Sequence, residues 1–340
     1  LRKILLVPAV ILFLAGSLLA GMLLGALYYP PQRDRGRTVL VTVDKGDSFE
    51  KIIGGLSREG LITHPRLVSL YAELTRLDRG VNAGTYRVVV GERPSTIIRR
   101  LVQGDVFKVT VTIPEGFTLR KVAGVLEEAG IDSAAFVSFA GSREAAEKFE
   151  LQAPGLEGYL FPDTYIIPWG MSVDEAAGVM VSRLRSVFDD SMRARADDLH
   201  MNLHEVLTLA SIIEAETRLP EERPLVSAVY HNRLRRGMKL EADPTVAYAM
   251  GGHRSRLFKK DLAFPSRYNT YLHAGLPPGP ICNPGLASIK AALYPDPDSR
   301  ALYFVARGDG GHIFSMTLRE HLAAVSRVRK LKSASRKEEP

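Results

Sequence analysis

Cysteine is almost missing from this sequence. Cys282 is the single one among 340 residues, so no intrachain disulfide and no thiolate zinc site can be assembled. Also missing are a Walker loop, a dinucleotide-binding glycine fingerprint, a nucleophile elbow and an HExxH zinc helix. The usual signatures of nucleotide, hydride-transfer and metalloprotease chemistry are therefore lacking. His204, His231, His253, His273, His312 and His321 are scattered, and each reads as a core or surface residue rather than a ligand. Nothing calls for a metal or a cofactor. No charge sign dominates: 45 Lys and Arg stand against 38 Asp and Glu, for a net +7. The basic residues are dispersed and no nucleic-acid module is present, so nucleic acid is not an expected partner. The surplus slightly favours an anionic membrane surface or wall polymer.

What is present begins with length. A chain of this size is expected to form two or three domains, and 46% apolar residues suffice for real cores. Arg2 and Lys3 precede an uncharged run from Ile4 to Tyr29. As a helix rising ~1.5 Å per residue, it crosses a hydrocarbon layer of about 30 Å. It is too long for the apolar region of a cleaved signal, so an uncleaved anchor over residues 1–30 is expected. Arg33, Arg35 and Arg37 follow it, so flanking charge does not fix orientation. An inside N-terminus with the bulk of the chain exported is the working choice. A polar linker, 31–37, comes next.

An internal repeat follows. VTVDKGDSFEKIIGGLSREGL (Val41–Leu61) and VTIPEGFTLRKVAGVLEEAGI (Val111–Ile131) align without a gap, seventy positions apart. Each reads as a strand, a Gly turn at Gly46 or Gly116, an N-cap at Ser48 or Thr118, and a helix closed by Gly60 or Gly130. A helix over Pro65–Leu77 and a strand over Thr85–Val90 make the first unit β-α-α-β. Such modules serve as spacers or as binding units. Asp132–Ala153 reads as helical, LEGYLFPDTY (Leu156–Tyr165) as irregular, and Val173–Asp189 as an amphipathic helix.

Leu203–Leu219 (LHEVLTLASIIEAETRL) is the stretch around which the remainder is organised. Leu203, Val206, Leu207, Ala210 and Ile213 form a stripe at helical spacing. Glu214 and Glu216 close it, where the helix dipole disfavours acids. In the simplest reading both are solvated, with Glu214 paired to Arg218. Further helices are predicted over Arg223–Arg236 and Leu318–Leu331, with a buried strand at Leu302–Ala306 and a turn into a strand at Gly310–Phe314. Between them, Tyr268–Gly285 (YNTYLHAGLPPGPICNPG) is loop-like. Tyr faces suit sugar C–H faces and Asn amides suit hydroxyls, although a rigid connector has the same composition.

Acid–base chemistry by carboxylates remains, with Glu157, Asp163, Glu214, Glu216 and Asp243 as candidates. Two positions apart on a helix, Glu214 and Glu216 point about 200° from each other. They cannot serve one substrate together, so this helix supplies one acid. A glycosidase pair would draw its second carboxylate from elsewhere.

ASIIEAET (Ala210–Thr217), NRLRRGMKLEADPTVAYAMG (Asn232–Gly251), YNTYLHAGLPPGPICNPG and YFVARGDGGHIFS (Tyr303–Ser315) occur in this order. Together with LEGYLFPDTY and the N-terminal span, they resemble the membrane-anchored endolytic murein transglycosylases (MltG/YceG-like). The resemblance covers essentially the whole chain; Ala215 departs from it, since relatives often carry Lys there. It implies a bacterial enzyme of the cytoplasmic membrane that cleaves the β-1,4 MurNAc–GlcNAc bond of peptidoglycan without water, leaving 1,6-anhydro ends. It implies Glu216 as the catalytic acid and LysM-like character for the repeats. Glu157, Asp163, Asp243, Tyr268, Asn269, Tyr271 and Asn283 are the candidate substrate-binding residues. Peptidoglycan strands and the membrane are the implied partners, with peptidoglycan synthases (penicillin-binding proteins) a further one.

The expected fold class is α+β with small LysM-like modules: a transmembrane helix, a LysM-like module at 38–107, a second repeat unit and connecting helix at 108–153, a mixed α+β catalytic domain at 154–332 and a charged tail at 333–340. Two other functions fit the residues. One is a muramidase-type hydrolase pairing Glu216 with Asp243; the other is a noncatalytic wall-binding scaffold.

Overall fold

The computed structural model describes residues 2–217, 219–252 and 257–338. The chain forms two compact units. The first comprises the described residues up to Thr110 together with Ile166–Met171. The second holds Val111–Tyr165 and the described residues from Ser172 onward. The repeat beginning at Val111 thus shares a unit with the helices that follow it.

In the first unit, helix α1 (Arg2–Tyr28) precedes strand β1 (Thr38–Val43), helices α2 (Phe49–Arg58) and α3 (Pro65–Thr75), strand β2 (Gly84–Val89) and helix α4 (Pro94–Gln103). This is the β-α-α-β order read from the sequence. β1 and β2 pair antiparallel from Thr38↔Val89 to Val43↔Gly84. Ser48 caps α2 by accepting from Lys51 N–H at 3.2 Å. Alternation along the strands and the helical stripes of α2 and α4 deliver Val43, Ile53, Leu56, Tyr86, Val88, Ile97 and Leu101 to one core. The last turn of α1 joins that core through Ala26 and Leu27. Val7–Tyr28 is long and apolar enough to cross a membrane. The predicted linker is pinned to the sheet edge where Gly36 N–H and Val90 O bond at 2.8 Å.

β3 (Lys108–Thr112) pairs with β4 (Thr164–Pro168), and the chain passes from one unit to the other along these strands. In the second unit come α5 (Leu119–Glu127), α6 (Ser133–Ala140), α7 (Arg143–Lys148), α8 (Val173–Val187), α9 (Asp190–Asp198) and α10 (Leu203–Glu216). Then follow α11 (Arg223–Arg235), α12 (Asp243–Ala249), α13 (Leu286–Leu293), the hairpin β5 (Tyr303–Ala306) with β6 (His312–Ser315), and α14 (Leu318–Glu338). The helix predicted over Asp132–Ala153 is two, α6 and α7, broken at Gly141–Ser142. The helix predicted to end at Leu331 continues to Glu338. β5 is half-exposed rather than buried, because it belongs to a two-stranded hairpin.

α10 is the axis of this unit. It is not amphipathic: every residue from Val206 to Ile213 is buried, with α9, α11, α12 and α13 packed around it. Its polar positions are hidden by local bonds. Thr208 Oγ1 donates to His204 O at 2.6 Å, and Ser211 Oγ donates to Thr208 O at 2.8 Å. Each fully buried Leu or Ile contributes about 1.5–3 kcal/mol. A reciprocal capping box starts the helix: Glu205 N–H donates to Asn202 Oδ1 and Asn202 N–H to Glu205 Oε2. The helix stops at Glu216, three residues before the predicted Leu219. Thr217 is already extended and Pro220 follows, so the two acids fall on its final turn.

Candidate active site

The last turn of α10 sends its two carboxylates to different places. Glu214 is buried, 8% exposed, with Oε1 3.1 Å from Arg223 Nη2. Its Oε2 accepts Gly285 N–H at 3.0 Å, just ahead of α13. It ties α10, α11 and α13 together, so it is not a solvated surface acid. Arg218 lies outside the described residues, as does His253.

Glu216 points into a groove of about 540 Å³, lined also by Asp243, Tyr271, Arg233, Phe304, His312 and His321. Tyr230, on α11, donates its hydroxyl to Glu216 Oε1 at 2.9 Å. Burial lifts the Glu216 carboxyl to about 7, the nearby Asp243 charge adds to the rise, and the Tyr230 bond opposes it. A carboxyl poised there holds a proton near neutral pH and can still release it, as a general acid must. Asp243 opens α12, where its Oδ1 accepts the Tyr271 hydroxyl at 2.6 Å. Burial chiefly, with the Asp243 bond, pushes the Tyr271 phenol upward, so Tyr271 stays a donor. Arg233 is committed to the wall: it donates to Leu302 O, Lys239 O, Leu240 O and Glu241 Oε2.

Two of the sequence candidates line a second cavity of about 500 Å³, with Glu157 on its wall and Tyr248 and Tyr268 beside it. The two tyrosine rings sit 5.1 Å apart, tilted by 49°. Glu157 accepts Leu119 N–H at 2.9 Å and the Tyr248 hydroxyl at 3.3 Å. Burial raises it to about 7, against both of these bonds. The Thr118 side chain makes no cap bond to α5; Glu157, distant in sequence, takes the first free N–H of that helix instead.

The other candidates sit elsewhere. Asp163 accepts Thr164 N–H at 2.7 Å and pairs with Arg183 Nε at 2.6 Å. Those contacts, the backbone bond first, hold its carboxyl below the usual range. Asn269 and Asn283 are fully buried. Asn269 Nδ2 donates to Leu262 O and Phe264 O, and its Oδ1 accepts Tyr271 N–H. Asn283 Oδ1 accepts Gly158 N–H and Leu160 N–H, while Nδ2 donates to Phe117 O at 2.8 Å. Both amides are engaged within the protein, Asn269 by backbone groups and Asn283 by backbone groups together with Glu157. Tyr230 and Tyr248 were not among the sequence candidates. Nothing local marks them, since each meets its carboxylate only through tertiary packing.

Comparison with known proteins bears on this geometry. The sequence profile of the YceG-like family matches residues 41–327. The chain is 32% identical over 335 residues to the endolytic murein transglycosylase of Bacillus subtilis (strain 168), covering 91% of this chain and 89% of that protein. It is 27% identical over 320 residues to the endolytic murein transglycosylase of Streptococcus pneumoniae (strain R6), covering 84% of this chain and 57% of that protein. Among solved structures, a YceG-like protein of Listeria monocytogenes is similar, with a TM-score of 0.59 and 31% identity, over 85% of this chain and 99% of that one.

Proposed function

We propose that this chain, which belongs to the YceG-like family, is an endolytic murein transglycosylase that cleaves the MurNAc–GlcNAc bond of peptidoglycan strands without water. The observation that carries the reading is Glu216: one carboxyl, lifted to about 7, set in an open groove and held by Tyr230. In the proposed reaction Glu216 protonates the leaving O4 as C1–O4 breaks. The muramyl C6 hydroxyl attacks C1 and gives up its proton to a base in the groove, and the product carries a 1,6-anhydro ring. With the nucleophile supplied by the substrate itself, no second carboxylate is needed to activate water.

Asp243 and Tyr271 shape the same groove as Glu216 and are assigned to sugar binding. The cavity of Glu157, Tyr248 and Tyr268 has walls suited to a second sugar, with two tyrosine faces and a carboxyl able to donate when protonated. Asp243 and Tyr248 lie on one helix, so about 7.5 Å of helix axis separates them. That arrangement suits a strand held at more than one sugar. The β-α-α-β unit resembles a LysM module and is assigned to glycan positioning. An anchor at α1 keeps the reaction near the membrane, which suits trimming of nascent strands beside their synthases.

Asp243 also supports a second reading, a hydrolase in which it activates water, because it shares the groove with Glu216. Mass spectrometry of glycan products from purified murein separates the two. Ends one water lighter, lost in Glu216→Gln, are the expected result. Hydrated reducing ends would replace the transglycosylase with the hydrolase. Full activity in Glu216→Gln would refute both.

A further inference from the structure

His312 opens β6 directly after the Gly310–Gly311 turn. At Gly311 a side chain would collide with the Arg307 guanidinium and come within 3.0 Å of Glu222 Oε1. Glycine there lets the strand pass close to Glu222, which then clasps the next residue twice. His312 N–H donates to Oε1 at 2.9 Å, and the ring Nδ1 lies 2.6 Å from Oε2. Both side chains are about nine-tenths buried. A carboxylate can only accept, so Nδ1 carries the ring proton. In the neutral imidazole Nε2 is left as an acceptor.

That nitrogen has no hydrogen bond among the described residues, and its ring lines the groove of Glu216. The ring is also fixed in place. Phe304 meets it edge-on at 5.2 Å and meets Tyr230 edge-on at 5.9 Å. The Tyr230 hydroxyl in turn holds Glu216. One aromatic cluster therefore sets an acid and a tautomer-fixed acceptor on the walls of one groove. A buried carboxylate that orients an imidazole is a costly arrangement for a merely structural ring, and this ring lines the groove of Glu216.

Resting on the murein reading above, we propose that His312 Nε2 takes the proton of the attacking C6 hydroxyl. As O6 bonds to C1 and C1–O4 breaks, the hydroxyl proton passes to Nε2 and the Glu216 proton passes to O4. The imidazolium formed is paired with the Glu222 carboxylate. It then loses its proton to water and Glu216 regains one, so the cycle closes with no atom gained or lost. Proton donation and proton removal thus belong to two side chains, and Glu216 need not do both.

The test uses the full chain in detergent on purified murein. In His312→Gln, kcat falls about 10²–10⁴-fold with little change in KM. Glu222→Gln keeps both bonds to residue 312, but its amide donates to Nδ1 and moves the ring proton to Nε2. The acceptor becomes a donor, and kcat falls comparably in a protein that still folds. Nitrogen-15 spectra read the tautomer directly: Nδ1–H in the wild type, Nε2–H in Glu222→Gln. Wild-type kcat in His312→Gln overturns the proposal. So does a flipped tautomer with unchanged kcat, or a wild-type ring protonated at Nε2. Loss in Glu216→Gln beside full activity in His312→Gln removes this step and leaves the murein reading standing. Absence of cleavage by the wild type removes both.

Discussion

Asn283→Ala should destabilise the second unit without any loss of a ligand contact. Alanine removes an oxygen that accepts Gly158 N–H at 2.9 Å and Leu160 N–H at 3.0 Å, in a place closed to water. It also removes the amide that donates to Phe117 O and, at 3.4 Å, to Glu157 Oε1. Phe117 O keeps the backbone N–H of residue 283, and Glu157 keeps Leu119 N–H, so the acceptors stay satisfied. The damage is two orphaned donors. At about 1–3 kcal/mol each, the cost is roughly 2–6 kcal/mol. For a unit of this size that lowers the melting temperature by at least about 4 °C. Differential scanning calorimetry of the full chain in detergent measures it. Asn283→Asp is the control. It restores both acceptances but sets a second carboxyl beside Glu157, so it costs less than alanine at pH 5 and more as pH rises to 8. A cost for Asn283→Ala under ~0.5 kcal/mol would refute the reasoning. A raised KM for murein at unchanged stability would return Asn283 to the ligand.

The buried pair makes a second prediction. Arg223→Met strands Glu214 and costs about 3–5 kcal/mol, whereas Glu214→Gln with Arg223→Met recovers much of it; chemical denaturation of the three proteins checks the difference. Proton linkage makes a third. Glu157 and Glu216 rise from 4.5 to about 7 on folding. The folded chain therefore holds protons between pH 4.5 and 7 that the unfolded chain releases. Their contribution is complete below pH 4.5 and is lost as pH rises through 7. Melting temperature should decline from pH 5 to pH 8, and Glu157→Gln should flatten that decline. Cleavage should weaken above pH 7, where Glu216 loses the proton it donates; a rate that climbs from pH 7 to 9 would contradict this.

The sequence carried some parts of the molecule plainly and concealed others. Strand-turn-helix order in the repeat was readable because Gly and Ser signals are local, as at Gly46, Ser48 and Gly60. The two directions of Glu214 and Glu216 followed from helical geometry alone. The burial of α10 on every side did not, because Thr208 and Ser211 look polar until their hydroxyls are seen bonded to the preceding turn. Asn269 and Asn283 stood out as sugar-binding amides. An amide satisfied by backbone has the same letter as one awaiting a hydroxyl, and only packing distinguishes them. Thr118 sat at the right position to cap α5, yet that helix takes its first partner from Glu157 across the fold. His312 was read as one scattered histidine, since Glu222 lies far from it in the chain.

Because Ala26 and Leu27 are interior residues of the first unit, any bilayer around α1 must stop short of them. The first unit therefore holds α1 by side-chain packing and not through Pro30–Arg37 alone. Lengthening that linker would add slack between α1 and β1 yet leave the packing of Ala26 and Leu27 in place.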